Sequence, residues 1–105
     1  NNNDFGIGGN CINFKGFKIC WGIDKLESTS NALGTTTAKN INFPLSYNST
    51  PAILHSQIAD TYDGSVLGML RNRGTTYFEI FTRVMGNNTP SQKPVYSFCW
   101  IAIGI

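Results

Sequence analysis

Hydrophobic residues along this chain recur at every second position in several short runs, and no run has the three-to-four spacing of an amphipathic helix. Phe17, Ile19, Trp21 and Ile23 alternate with Lys18, Cys20 and Gly22, which predicts a strand within residues 11–23. Asp24 to Gly34 turns polar and reads as a loop that returns the chain. Thr35 to Phe43 is rich in Thr and stops at Pro44, where a backbone donor is lost, so it predicts an exposed strand. After a turn at Asn48 to Pro51, the run from Ala52 to Ala59 sets Ala52, Leu54, Ser56 and Ile58 against a half-polar face of Ile53, His55 and Gln57. Asp60 to Ser65 contains the turn pair Asp63-Gly64, Val66 to Leu70 reads as a short strand, and Arg71 to Gly74 as the turn that closes it. From Thr75 to Met85 the residues Phe78, Ile80, Thr82 and Val84 fall on one side, the expected core face.

The final strand, Val95 to Ile103, breaks the pattern by being apolar on both sides. Tyr96, Phe98, Trp100 and Ala102 line one face, while Cys99, Ile101 and Ile103 line the other. Neither face suits water, so one is expected to pack the core and the other to meet a second subunit. Six or seven short strands with frequent turns predict an all-β fold, a small antiparallel β-sandwich or similar two-sheet fold in which the segments from Ala52 to Gly74 read as successive hairpins. Trp21, Phe98, Trp100, Ile101 and Ile103 are assigned to the core or to a subunit interface.

Composition narrows this picture. The chain has 105 residues, 41% hydrophobic and only 13% charged, enough for one core and apolar enough for an oligomer subunit. The net charge is +2 and the basic residues are scattered, which argues against a nucleic-acid surface. No apolar stretch is long enough for a membrane-spanning helix, so membrane insertion is not expected. The Asn- and Gly-rich residues 1–10 read as a flexible lead or the end of a preceding shaft, with the sandwich domain over 11–105 and the whole cut from a longer polypeptide.

The three cysteines lack zinc-site spacing. A two-residue loop at Lys15 and Gly16 would pair Phe14 with Phe17 and, counting outward, Cys11 with Cys20 at a non-hydrogen-bonded position where side chains come closest. A disulfide is geometrically open to them. Three reduced thiols packed as small hydrophobes are the plainer reading.

Three ordered elements carry a resemblance: FKICWG at Phe17 to Gly22, INFPLSY at Ile41 to Tyr47, and the terminal WIAIGI at Trp100 to Ile105. Together they resemble the C-terminal receptor-binding tip domains of tail fibres of bacteriophages and related tail-like bacteriocins. Ile105 stands where that family more often ends in an aromatic residue, and Cys11 and Cys20 lie outside its pattern. The resemblance implies a homotrimeric β-sandwich knob at the distal end of a fibre, with the rest of the fibre N-terminal to it. It implies a location in a virion or tail-like particle, synthesis in the bacterial cytoplasm, and recognition of a surface polysaccharide or outer-membrane protein.

Candidate chemistry favours binding over catalysis. His55 is the sole histidine and alternates with Ile53 and Gln57 as a strand residue would; no GxSxG elbow accompanies it. Asp60 and Asp63 can form a carboxylate pair or two Ca²⁺ ligands, but turn chemistry explains them as simply. The glycines at 6, 8 and 9 lack the lysine and helix of a phosphate loop, and the sequons at Asn48 and Asn87 arise readily in an Asn- and Thr-rich chain. No enzymatic activity, cofactor or metal is expected. Sugar recognition uses planar rings and directional side chains. Tyr62 between Asp60 and Asp63, the Arg71, Asn72, Arg73 element, and Asn87, Asn88, Gln92 and Lys93 in the last long loop supply both kinds. The expected function is the receptor-binding tip of a phage or phage-like tail fibre. A free-standing carbohydrate-binding lectin, a trimerisation cap without ligand and a depolymerase are the alternatives.

Overall fold

A computed structural model describes residues 5–8, 10–58 and 65–105. They form eight strands: β1 (Phe5–Gly8), β2 (Cys11–Phe14), β3 (Phe17–Glu27), β4 (Thr36–Asn42), β5 (Ala52–Gln57), β6 (Val66–Arg73), β7 (Tyr77–Val84) and β8 (Val95–Gly104). Every pairing is antiparallel, in a five-stranded sheet ordered β1-β2-β3-β8-β5 and a three-stranded sheet ordered β4-β7-β6. No helix occurs among the described residues.

The first hairpin follows from its loop. Lys15 and Gly16 both adopt positive φ, 52° and 88°, the signature of a two-residue type I′ turn, and the Gly16 amide donates to Asn13 Oδ1 at 3.0 Å. This turn pairs Phe14 with Phe17 and sets Cys11 opposite Cys20. There the two cysteines are joined in a disulfide, completely buried, instead of packing as separate reduced thiols; Cys99 is the free thiol. Part of the segment read as a lead, Phe5–Gly8, continues the sheet as β1.

Between the sheets lies the core. Phe78, Ile80, Thr82 and Val84 turn inward from β7 as their alternation requires, and Tyr96, Phe98, Trp100 and Ala102 oppose them from β8. Trp100 sits at the centre, its ring 5.2 Å from Phe78 and 5.9 Å from Phe43, and its Nε1 donates to Asp24 Oδ2 at 3.0 Å. Gly22 makes room for it: a Cβ there would lie 2.8 Å from the indole. Beyond the end of β4, Phe43 packs edge-on against Tyr47, whose hydroxyl donates to the Ala102 carbonyl at 2.9 Å. The Trp-Gly, Phe-Pro and terminal Trp segments therefore close on one another in a single packing unit.

Three expectations are corrected, and the pairing of β5 assigns its two faces. β3 does not end at Ile23 but runs to Glu27, because β8 pairs with it over ten residues and Asp24, facing inward, is satisfied by Trp100. Arg71, Asn72 and Arg73 form the end of β6, reached through a bulge after Leu70, and not a turn. The segments from Ala52 to Gly74 do not form successive hairpins: β5 and β6 lie in different sheets, β8 is central between β3 and β5, and β4 pairs with β7, so the chain changes sheet four times. On β5 the half-polar face of Ile53 and His55 turns toward the core, leaving Leu54 69% exposed, because the register with β8 places Ile53 beside Ala102.

Gly68→Ala is expected to lower stability by about 1–3 kcal/mol in urea denaturation, since the new Cβ would come 2.4 Å from a Tyr96 ring already stacked on Phe98. Burial also holds the hydroxyls of Tyr47 and Tyr96 neutral to higher pH than the ordinary tyrosine value of 10.0. The unfolded chain then ionises first, so stability is intact below pH 10.0 and falls as pH rises above it. Urea midpoints measured across that range should decline, and less steeply in Tyr47→Phe.

Candidate functional site

Loops gather at one end of the sandwich. The Ser28 amide donates to the Pro94 carbonyl at 2.9 Å, Asn31 Nδ2 to the Pro90 carbonyl at 2.7 Å, and Met85 to Ser65 at 2.8 Å. The first two bonds tie the segment after β3 to the long β7–β8 loop, and the third ties that loop to the start of β6. Asn87, Asn88, Gln92 and Lys93 are exposed at this end. Asp60, Tyr62 and Asp63 lie outside the described residues, but Ile58, which bonds to Ser97 at 2.8 Å, and Ser65 bring the chain to the same end on either side of them.

The Arg71, Asn72, Arg73 element is elsewhere. Arg73 Nη1 donates to the Pro51 carbonyl at 3.0 Å, at the opposite end of the sandwich. Arg71 Nε is 2.7 Å from Glu79 Oε1, and Asn72 Nδ2 donates to the same oxygen at 2.9 Å. The bond from Arg71 holds the Glu79 carboxyl below its ordinary range and, reciprocally, raises the already high guanidinium value. Arg71 also lies 4.2 Å above the centre of the Phe81 ring. These residues are engaged within the chain, and the structure does not bring them together with Asn87 and Asn88.

A third feature is the outer face of the five-stranded sheet. Registered rows run Ile12, Ile19, Ile103, Ala52 and, one step along, Trp21, Ile101, Leu54. Ile23 is 76% exposed and Leu54 69%, so the second apolar face of β8 continues into its neighbours without cover from this chain. A hollow of about 270 Å³ lies on it between Leu54, Ser56, Cys99 and Ile101. Of the residues assigned to core or interface, Phe98 and Trp100 are core, whereas Trp21, Ile101 and Ile103 belong to this outer face.

On the flank, the edge of β3 away from β8 has no strand paired to it past Cys20 among the described residues, and β4 is the edge of its own sheet. Between these two edges runs a cleft of two depressions, about 350 and 420 Å³, that share Ile23, Asp24 and Lys39. Lys39 Nζ crosses it to the Lys25 carbonyl at 3.2 Å. Asp24 and Lys39 were not foreseen as site residues. The signal for Asp24 was a buried tryptophan in need of an acceptor, but the alternation of apolar residues stopped at Ile23 and concealed it. His55 packs edge-on against Tyr96 and Phe98, as a strand histidine with aromatic neighbours.

Solved structures of several proteins share this two-sheet sandwich. The chain superposes on an N-truncated R1-type pyocin tail fibre with a TM-score of 0.61, at 13% identity over 85% of this chain and 71% of that one. It superposes on the tailspike protein gp49 of Pseudomonas phage LKA1 with a TM-score of 0.63, at 13% identity over 83% of this chain and 15% of that one. Discoidin II of Dictyostelium discoideum gives a TM-score of 0.65 at 20% identity, over 83% of this chain and 36% of that one. The chain thus spans a minor part of the last two proteins. No family model and no curated protein matches it. At these identities the likeness establishes the fold.

The disulfide fastens β1 and β2 to the sheet beside the cleft. Replacing both Cys11 and Cys20 by Ala is expected to cost about 2–3 kcal/mol, the chain-entropy value for so short a loop. Free-thiol titration of the unfolded protein should find Cys99 alone, and three thiols after reduction.

Proposed function

We propose that this chain is the receptor-binding tip of a phage or phage-like tail fibre, acting without catalysis and as a homotrimer. The observation that carries the reading is the division of one small sandwich into an uncovered apolar sheet face and, separately, an end where polar loops converge. Association of copies through Leu54, Ile101 and Ile103 would bury the apolar face, which a water-exposed surface does not favour. The loop end would remain free. β1 enters the sheet with Phe5 opposite Phe14, beside the hairpin turn at the other end, so a shaft preceding the domain would join away from Asn87 and Asn88. Loops at the far end would then meet the bacterial surface, and three equivalent copies would multiply a weak contact.

Likeness to the fibre and tailspike structures supports a virion-associated location and attachment to the rest of a fibre. A surface polysaccharide is the favoured receptor, with an outer-membrane protein the other candidate. Likeness to the discoidin lectin favours carbohydrate binding as such, which is the second reading: a lectin working outside a fibre.

Leu54→Arg should convert the assembly to monomer in analytical ultracentrifugation and abolish adsorption of the domain to host cells, while the circular dichroism spectrum is retained. Asn87→Ala with Asn88→Ala should leave the trimer intact and weaken adsorption by roughly tenfold or more, the equivalent of about 1.4 kcal/mol. A wild-type protein that sediments only as monomer would overturn the trimer. Adsorption unaffected by the double substitution would overturn the assignment of those two asparagines to the receptor surface.

A further inference from the structure

We propose that the flank cleft between β3 and β4 is a second, separate glycan site, one that holds a segment of at least two sugar residues along the side of the sandwich. The inference rests on the carbohydrate reading of the domain and adds a location remote from the loop end. Its lining has the chemistry sugars require. Trp21, 39% exposed, borders the depression, as do Asn10, Asn40 and Asn42, residues whose planar indole and donor-acceptor carboxamides suit the faces and hydroxyls of a sugar. Asp24 spends one oxygen on Trp100 Nε1 and retains acceptor capacity for hydroxyls.

Extent and rigidity argue the same way. Each depression lies within the roughly 300–1,000 Å³ of small-ligand sites, and because they share Ile23, Asp24 and Lys39 they form one trough along the strand edges. Strands, not loops, supply most of the wall. Asn10 is held in place by its carbonyl, which accepts from the Trp21 amide at 2.9 Å, and by the disulfide that begins at the next residue. Lys39 is fixed by the Lys25 carbonyl. A site so pre-ordered loses little entropy on binding. With Asp24 the single carboxylate of the lining residues, the trough lacks the paired carboxylates of glycoside hydrolysis, so retention of the chain is the chemistry it supports. Lys25 and Lys39 beside Asp24 leave one positive charge in excess, which favours an acidic substituent on the sugar at that end.

The trough also accounts for Trp21. Its row of the sheet leads onto the outer apolar face, and the residue also borders the cleft with Asn42 and Pro44 while the hollow around Leu54 and Ile101 does not reach it.

The test uses the full chain on an array of purified bacterial O-antigen and capsular polysaccharides, comparing wild type with Trp21→Ala, with Asn40→Ala plus Asn42→Ala, and with Asn87→Ala plus Asn88→Ala. Both cleft variants should bind the recognised polysaccharides roughly tenfold more weakly. Asn40 and Asn42 are exposed strand positions, so that double variant should keep the wild-type melting midpoint and guards against loss through misfolding. Binding unchanged in both cleft variants but reduced in the Asn87 and Asn88 variant would overturn the cleft and leave the tip reading standing. No polysaccharide bound by wild type would overturn the glycan site and the polysaccharide receptor together.

Discussion

The seating of one indole organises this domain. Trp100 lies between the sheets against Phe43 and Phe78, above a position where only glycine leaves space, with its N–H answered by an aspartate from the neighbouring strand. A buried indole donor without a partner is costly, so Asp24 must face inward, and an inward aspartate is tolerated only because Trp100 is there. That reciprocal requirement sets the register of β3 on β8. Tyr47 completes the closure from the other side, its hydroxyl on the Ala102 carbonyl two residues beyond the tryptophan.

From this register the rest of the surface follows. Once Gly22 and Asp24 face inward, Trp21 and Ile23 must face outward, and the same alternation on β8 turns Cys99, Ile101 and Ile103 to the same side. The core is built with an unusually small inward set on β3, and the bulky residues of that strand are displaced to the outside. The apolar outer face and the cleft beside it are thus two consequences of how the indole is accommodated. The disulfide anchors the hairpin that borders both, at the point where β2 leaves β3 and the edge of the sheet opens.

The domain consequently offers surfaces of different character in different directions. Polar loops meet at one end, the sheet presents an apolar outer face, and the flank carries a trough lined by amides and a tryptophan. In a fibre tip these would serve recognition, self-association and lateral contact with a glycan chain. Arg71 and Asn72, attractive as recognition groups for their chemistry, are instead consumed in bracing β6 against β7 through Glu79.

Period-two alternation was enough to determine the all-β class and the inward residues of β7, and a two-residue turn at Lys15 and Gly16 to set Cys11 opposite Cys20 with the bond itself left open, because each depends on contacts a few positions apart along one strand or across one turn. The doubly apolar β8 likewise marked a second apolar face, which this chain leaves without cover among the described residues. What alternation could not decide was the partner of each strand. β3 with β8 and β4 with β7 join residues far apart in the chain, and the first of these prolongs β3 through Asp24, while the bulged pairing of β6 with β7 draws Arg71 into a strand and sets Arg73 at the opposite end from Asn87. Site geometry belongs to this second category: the cleft exists because two strand edges remote in sequence lie side by side, a relation that only the packing of the two sheets creates.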